Sequence, residues 1–159
     1  MKITDVTSRT PDLIHQLLEV WESSVRVTHL FLSDDEIKSI KGYVPQALNG
    51  IAHLVIAEND SGRPVAFMGI EDGSLEMLFI APEERGKGLG KRLIQYGIKN
   101  YAVERLAVNE QNPQAKGFYE HMGFQVYKRT DLDEQGNPYP LLYMSLTHKL
   151  EYNPDNGGN

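Results

Sequence analysis

Arg85-Gly86-Lys87-Gly88-Leu89-Gly90-Lys91 is the segment of this chain best equipped to do chemistry. It follows an apolar run, Leu75 to Ala81, and leads directly into a helix-like pattern. A glycine-rich turn at a helix start points several backbone N–H groups at one place. The helix dipole adds partial positive charge there, and the glycines let an anion approach the backbone closely. Arg85, Lys87 and Lys91 add formal positive charge in a chain whose net charge is −6. The chemistry is the holding of a phosphate. A basic turn capping a surface helix has the same composition, and the loop alone does not separate the two readings.

Spacing narrows the choice of phosphate ligand. A P-loop needs a glycine, four residues and then Gly-Lys-Ser/Thr. Counting back from Gly90-Lys91 puts Arg85 at the first glycine, and Arg92 stands where the magnesium-binding hydroxyl belongs. The dinucleotide fingerprint G-x-G-x-x-G also fails, because Lys91 follows Gly86 and Gly88 where the third glycine is required. Arg-x-x-Gly-x-Gly fits, at Arg85, Gly88 and Gly90. It resembles the pyrophosphate loop of the GNAT family, the Gcn5-related N-acetyltransferases that bind acetyl-CoA. A second segment strengthens the resemblance. Asn112-Pro113 is a helix start, with Asn as N-cap and Pro at the first helical position, and Gly123 is the expected stop. Between them Ala115, Phe118, Tyr119 and Met122 share one apolar face. The pattern Asn-x-x-Ala-x-x-Phe-Tyr-x-x-x-Gly-Phe is similar to the family's second cofactor segment. Trp21 to Leu32 and the ending Gly136-Asn-Pro-Tyr139 resemble the YjaB-type subgroup of bacterial GNAT proteins, and the likeness covers most of residues 1–148.

That resemblance implies an acetyl-CoA-dependent N-acetyltransferase moving an acyl group from the CoA thioester to a primary amine of a small molecule or peptide. The alternative is a non-catalytic acyl-CoA-binding sensor or interaction domain, which needs the loop but not the catalytic groups. Acyl transfer to an amine sets three demands: the cofactor must be held, the amine must be neutral when it attacks, and the leaving thiolate must be protonated. The resemblance implies that Arg85, Gly86, Lys87, Gly88, Leu89, Gly90 and Lys91 hold the pyrophosphate. Backbone groups of Leu78, Phe79 and Ile80 would bond the pantetheine amides, with Asn112 and Phe118 beside the cofactor; Asn112 also reads as a plain cap. Tyr119 matches the family's general acid. A phenol of pKa ~10 is protonated at neutral pH and can donate to a thiolate whose conjugate acid lies near ~8.5. An apolar-face tyrosine is equally a packing residue. Two residues are candidates for the base. Glu76 lines up with a glutamate that serves some family members, and also reads as an outward-facing strand residue. His29, of pKa ~6.5, is better matched to neutral pH, and also reads as a helix C-terminal residue favoured by the dipole. Deprotonating a lysine-like amine at pH 7 costs roughly 4.6 kcal/mol, against about 1.4 for an α-amine of pKa ~8, so a lysine acceptor needs the base most.

The elements that must position these groups are legible from periodicity. Lys2–Thr7 alternates as a first strand. From Pro11 to about Thr28, Leu13, Leu17, Trp21, Val25 and Thr28 line one helical face. Ser33-Asp-Asp-Glu36 is a capping box, with Leu32 and Ile37 as its hydrophobic staple. Pro45 is expected to break or offset the helix that follows. His53–Glu58, Pro64–Glu71 and Ser74–Ala81 read as strands, the first two joined by a turn at Asn59-Asp-Ser-Gly62. Helix Gly88–Asn100, strand Arg105–Asn109, helix Asn112–Met122 and strands Phe124–Asp131 and Leu141–His148 complete the chain. The order βααβββαβαββ is mixed α/β. The resemblance implies the GNAT fold: a central mixed sheet flanked by helices, its fourth and fifth strands splayed to admit pantetheine. One domain is expected over residues 1–150, followed by a polar tail at 151–159. Acceptor specificity is expected at Thr28–Asp35, with Trp21 and Tyr43, and at Asp131–Tyr139, where Asp131, Asp133 and Glu134 read either as a draw for a cation or as a solvated acidic turn.

Composition bounds the rest. With 159 residues and 40% hydrophobic content the chain can bury one core. No apolar run approaches the ~18 residues of a membrane span, and the N-terminus lacks a signal-peptide core. The absence of cysteine excludes disulfides, thiolate metal sites and Cys nucleophiles, and the histidines lack metal-ligand spacing, so no metal is expected. The acidic balance, with a pI of about 5.3, argues against nucleic acid as a partner. A cytoplasmic protein is expected, and exposed strand edges of such a fold would allow a homodimer.

Overall fold

A computed structural model describes residues 1–147. The chain forms two compact units, Met1–Val103 and the remainder from Glu104. In the first unit β1 (Lys2–Asp5), β2 (His53–Glu58), β3 (Pro64–Glu71) and β4 (Ser74–Ile80) form an antiparallel array in chain order. Helices α1 (Pro11–Thr28), α2 (Asp34–Lys41) and α3 (Val44–Gly50) precede β2, and α4 (Leu89–Tyr101) follows β4.

The side chain of Thr10 caps α1 by accepting from Leu13 N at 3.2 Å. Ile14, Leu17, Val20, Trp21 and Val25 then turn inward at helical spacing. They pack with Ile37 of α2, Val44 and Leu48 of α3, and Leu54, Ile56 and Phe67 of the strands. Leu17, Leu48 and Phe67 are fully buried, so truncating any one to alanine is expected to cost about 2–5 kcal/mol. The capping box forms as expected: Ser33 N donates to Glu36 Oε1 at 2.8 Å, and Glu36 N to Ser33 Oγ at 3.1 Å. Leu32 packs against the same cluster as Ile37.

The expected order needs one correction. Pro45 breaks the helix as expected, but the chain resumes as a third helix: α2 ends at Lys41, and α3 begins at Val44 with Pro45 in its first turn. Proline lacks an N–H and clashes with a preceding carbonyl, so it is tolerated only at a helix start. The order is therefore βαααβββαβαββ. A 3-10 turn at Pro82–Glu84 also stands between β4 and the loop.

The second unit holds β5 (Arg105–Asn109), α5 (Pro113–His121), β6 (Phe124–Thr130) and β7 (Leu141–Leu146). Strand β7 lies between β5 and β6 and is antiparallel to both. Its Leu141, Leu142, Met144 and Leu146 are buried, with Leu106, Val108 and Phe124. Strand β7 ends at Leu146, short of the expected His148. That histidine and the tail expected at 151–159 lie outside the described residues.

Candidate active site

The anion loop has the geometry its sequence calls for. Gly86 and Gly88 both adopt left-handed backbone, with φ of 79° and 82°. Side-chain-bearing residues rarely enter that region. Gly88 is the N-cap of α4, and no side chain caps that helix start. The first-turn amides are thus left for another acceptor. A Cβ built at Gly86 or Gly88 meets no atom within 4 Å, so both glycines face open space. Arg85, Lys87 and Lys91 are exposed, and Lys87 Nζ reaches Glu84 at 3.5 Å, an exposed contact of little energetic weight. Leu89 differs from its neighbours: its side chain is buried and anchors the helix, so it can serve an anion only through its N–H. Glycines with left-handed φ, an uncapped helix start and three exposed cations fit a pyrophosphate.

Strand β4 delivers Leu78, Phe79 and Ile80, paired with Met68, Phe67 and Ala66 of β3. Phe79 points its ring into an aromatic cluster, 5.5 Å from Phe67 and 6.5 Å from Trp21. Its service to a cofactor is thereby limited to its backbone. Glu76 has no partner in the β3–β4 register, which passes from Gly69↔Met77 to Ile70↔Leu75. It is the extra residue of a β-bulge, a device that redirects a side chain, and it is exposed.

His29 is the C-cap of α1. Its ring lies 5.5 Å from that of Phe31 and 6.4 Å from that of Phe79. Thr28 Oγ1 is 2.8 Å from Nδ1. Burial holds the imidazole pKa below its ordinary value of 6.5. The imidazole is neutral at pH 7. His29 and Phe79 come together. Trp21, expected near the acceptor, is buried in the core at 5% exposure. Tyr43 is exposed.

In the second unit Asn112 caps α5, its Oδ1 accepting from Ala115 N at 3.3 Å. One of that oxygen's two lone pairs serves the helix, and the side chain's second lone pair and N–H groups can meet a ligand. Tyr119 meets Phe118 and Phe124 edge to face, with centroids 5.2 and 6.1 Å apart. Desolvation raises the Tyr119 pKa well above the usual tyrosine value, so the phenol keeps its proton throughout the physiological range. Asp131 and Asp133 are committed within the chain. Asp131 pairs with Arg129 at 2.6 Å, and Asp133 Oδ1 accepts from Gln135 N and Asn137 N at 3.0 and 2.8 Å. Among the described residues no three His, Asp or Glu converge on a metal position, and no helix is long and apolar enough to cross a membrane.

One residue escaped sequence reasoning. Asn109, the last residue of β5, buries its Oδ1 with no hydrogen-bond partner among the described residues. A buried orphan acceptor is costly unless a ligand donates to it. Its only signal in the sequence is an asparagine ending an apolar strand just before a capped helix.

An uncapped helix start with left-handed glycines and exposed cations suits an enzyme that holds a nucleotide thioester. The match to known proteins is direct. Residues 20–145 match the acetyltransferase (GNAT) domain, and the chain belongs to the GNAT family. A peptidyl-lysine N-acetyltransferase YjaB of Salmonella typhimurium is 40% identical over 127 residues, covering 80% of this chain and 87% of the relative. The protein of that name in Escherichia coli is 37% identical, covering 82% and 88%. The solution structure of apo YjaB from Escherichia coli superimposes with a TM-score of 0.80 at 36% identity, covering 91% of this chain and 97% of that one. The chain is therefore an N-acetyltransferase with the GNAT fold, and its acyl donor is acetyl-CoA.

Proposed function

We propose that this enzyme acetylates the ε-amine of lysine in peptides by direct attack of the amine on the thioester, with His29 as general base and Tyr119 as general acid. The acceptor class follows the names of its relatives, peptidyl-lysine N-acetyltransferases at 40% and 37% identity. We take residues 1–150 as one acetyltransferase domain, supported by the family match to residues 20–145, and assign it to the bacterial cytoplasm.

Bound acetyl-CoA supplies the thioester carbon that the amine attacks and the thiolate that leaves. The amides from Gly86 to Lys91, with Arg85 and Lys87, hold its pyrophosphate, and backbone groups of Leu78, Phe79 and Ile80, with Asn112 and Phe118, hold the pantetheine arm. Asn109 Oδ1, buried without a partner among the described residues, would be satisfied by an N–H donor of the bound coenzyme. His29 takes the proton that the attacking nitrogen sheds. Tyr119 gives its proton to the departing sulfur. A lysine amine must shed about 4.6 kcal/mol worth of protonation at pH 7, which makes a base indispensable. The observation that carries the assignment is the neutral, desolvated His29 ring against Phe31 and Phe79. Glu76, exposed at its bulge, is the weaker candidate.

The test measures CoA release and lysine acetylation on peptides with the native enzyme, His29→Gln and Glu76→Gln. We expect His29→Gln to lose at least about a hundredfold in kcat, as for a lost general base, with Glu76→Gln near native. The reverse ranking would transfer the role to Glu76.

A further inference from the structure

We propose that Thr28 is a positioning residue that locks His29 in the Nδ1–H tautomer and so presents the Nε2 lone pair as the base. The claim deepens the assignment of His29 as base and rests on it for its catalytic meaning.

The geometry is one of proton counting. Thr28 Oγ1 makes two short contacts, 2.9 Å to the carbonyl oxygen of Ser24 and 2.8 Å to His29 Nδ1. A hydroxyl has one proton to give. The Ser24 carbonyl can only accept. If the hydroxyl proton turns to Nδ1, the Thr28 and Ser24 oxygens face each other at 2.9 Å with no proton between them. If it turns to Ser24, both contacts are hydrogen bonds, provided Nδ1 carries a proton and donates to Oγ1. A neutral imidazole protonated at Nδ1 is bare at Nε2. The tautomer is therefore set by the last turn of α1.

The frame holding this relay is rigid. Ser24 is buried at 5% exposure. The His29 backbone N–H donates to Val25 O at 2.8 Å, and Leu32 N donates to His29 O at 3.0 Å. The His29 ring lies against the rings of Phe31 and Phe79. The charged residues of the neighbouring elements are engaged elsewhere or exposed. Arg26 pairs with Glu22 and Asp34, Lys41 with Glu22, and Lys38 with Asp34. Glu36 serves the capping box; Asp35 and, on β4, Glu76 are exposed.

The test combines a spectrum with a pH profile. Long-range proton–nitrogen NMR of the ¹⁵N-labelled enzyme, with His29 assigned by the loss of its signals in His29→Gln, reports directly which ring nitrogen is protonated. We expect Nε2 to be the unprotonated nitrogen in the native enzyme and in Thr28→Ser. In Thr28→Val the proton should move to Nε2, and kcat should fall about fivefold, the effect of one lost hydrogen bond, with the KM for acetyl-CoA unchanged. The acidic limb of the Thr28→Val profile should also move to lower pH, because the imidazolium loses a charge-assisted bond to Oγ1. Thr28→Ser should restore both kcat and the limb. A native spectrum with the proton on Nε2, or a Thr28→Val enzyme that keeps the native tautomer, would overturn the proposal. Full turnover by His29→Gln would instead remove the base assignment, while the spectrum still decides the tautomer claim.

Discussion

Tyr119, His29 and Asn109 owe their properties to what surrounds them. Tyr119 sits between Phe118 and Phe124, and desolvation keeps its phenol protonated. Tyr119→Phe removes one oxygen and leaves the packing, so calorimetry should show unchanged acetyl-CoA binding, while kcat falls by about a hundredfold or more, the usual worth of a general acid. For His29 the sign is set by a depressed pKa. The neutral form is favoured in the folded protein, so base activity holds above the folded pKa and fails as pH falls through it, below 6.5. The same group contributes stability that is present above its unfolded pKa and is lost as pH falls toward the folded one. His29→Gln should abolish that limb in both kcat/KM and thermal melts. Asn109→Ala removes an orphaned acceptor, so the free enzyme should melt no lower than native, while its affinity for acetyl-CoA weakens. A variant that melts markedly lower with affinity intact would make Asn109 structural.

At the scale of elements, local side-chain–backbone pairing was the most legible part. The Ser33–Glu36 box and the Asn112 cap lie within three residues of their partners, so spacing alone names both members. The loop from Arg85 to Lys91 was legible for the same reason, since its conformation is written in its glycines. Gly88→Glu places a Cβ on a backbone at φ 82° and a negative charge at the anion position. It should weaken acetyl-CoA binding by more than tenfold while circular dichroism still shows the fold. What pairing and packing decide was not legible. The bulge at Glu76 exists only relative to β3, and the His29 environment depends on Phe79, far along the chain. The end of α4 is another long-range case. Tyr96 and Tyr101 both donate to Asp5 of β1, at 2.9 and 2.5 Å, and Tyr101 also stacks on His53 with centroids 4.4 Å apart. Its hydrogen bond to Asp5, aided by desolvation, raises the Tyr101 pKa to about 12. A raised pKa stabilises the fold below the unfolded value near 10 and loses that contribution as pH rises toward 12. Melting temperature should therefore drop across that interval, and Tyr101→Phe should flatten the drop.

For the whole molecule, the acidic balance and the polyanionic donor act against each other. A net charge of −6 repels a polyanion at long range, so on the proposed assignment affinity would rest on the exposed cations Arg85, Lys87 and Lys91 at one helix start, acting at short range where salt screens least. Family and fold were legible in the sequence because two separated motifs carry them. Which of His29 and Glu76 is the better candidate for the base was not, because that ranking depends on burial that no motif records. The central claim is catalytic transfer to lysine, and it is tested most directly by mass spectrometry of a lysine peptide incubated with acetyl-CoA and the purified enzyme. We predict one acetyl group on the lysine ε-nitrogen for each CoA released, at a rate cut by Tyr119→Phe without loss of acetyl-CoA binding. An enzyme that binds acetyl-CoA but leaves amines unmodified, with Tyr119→Phe indistinguishable from native, would contradict it and make the protein an acyl-CoA sensor.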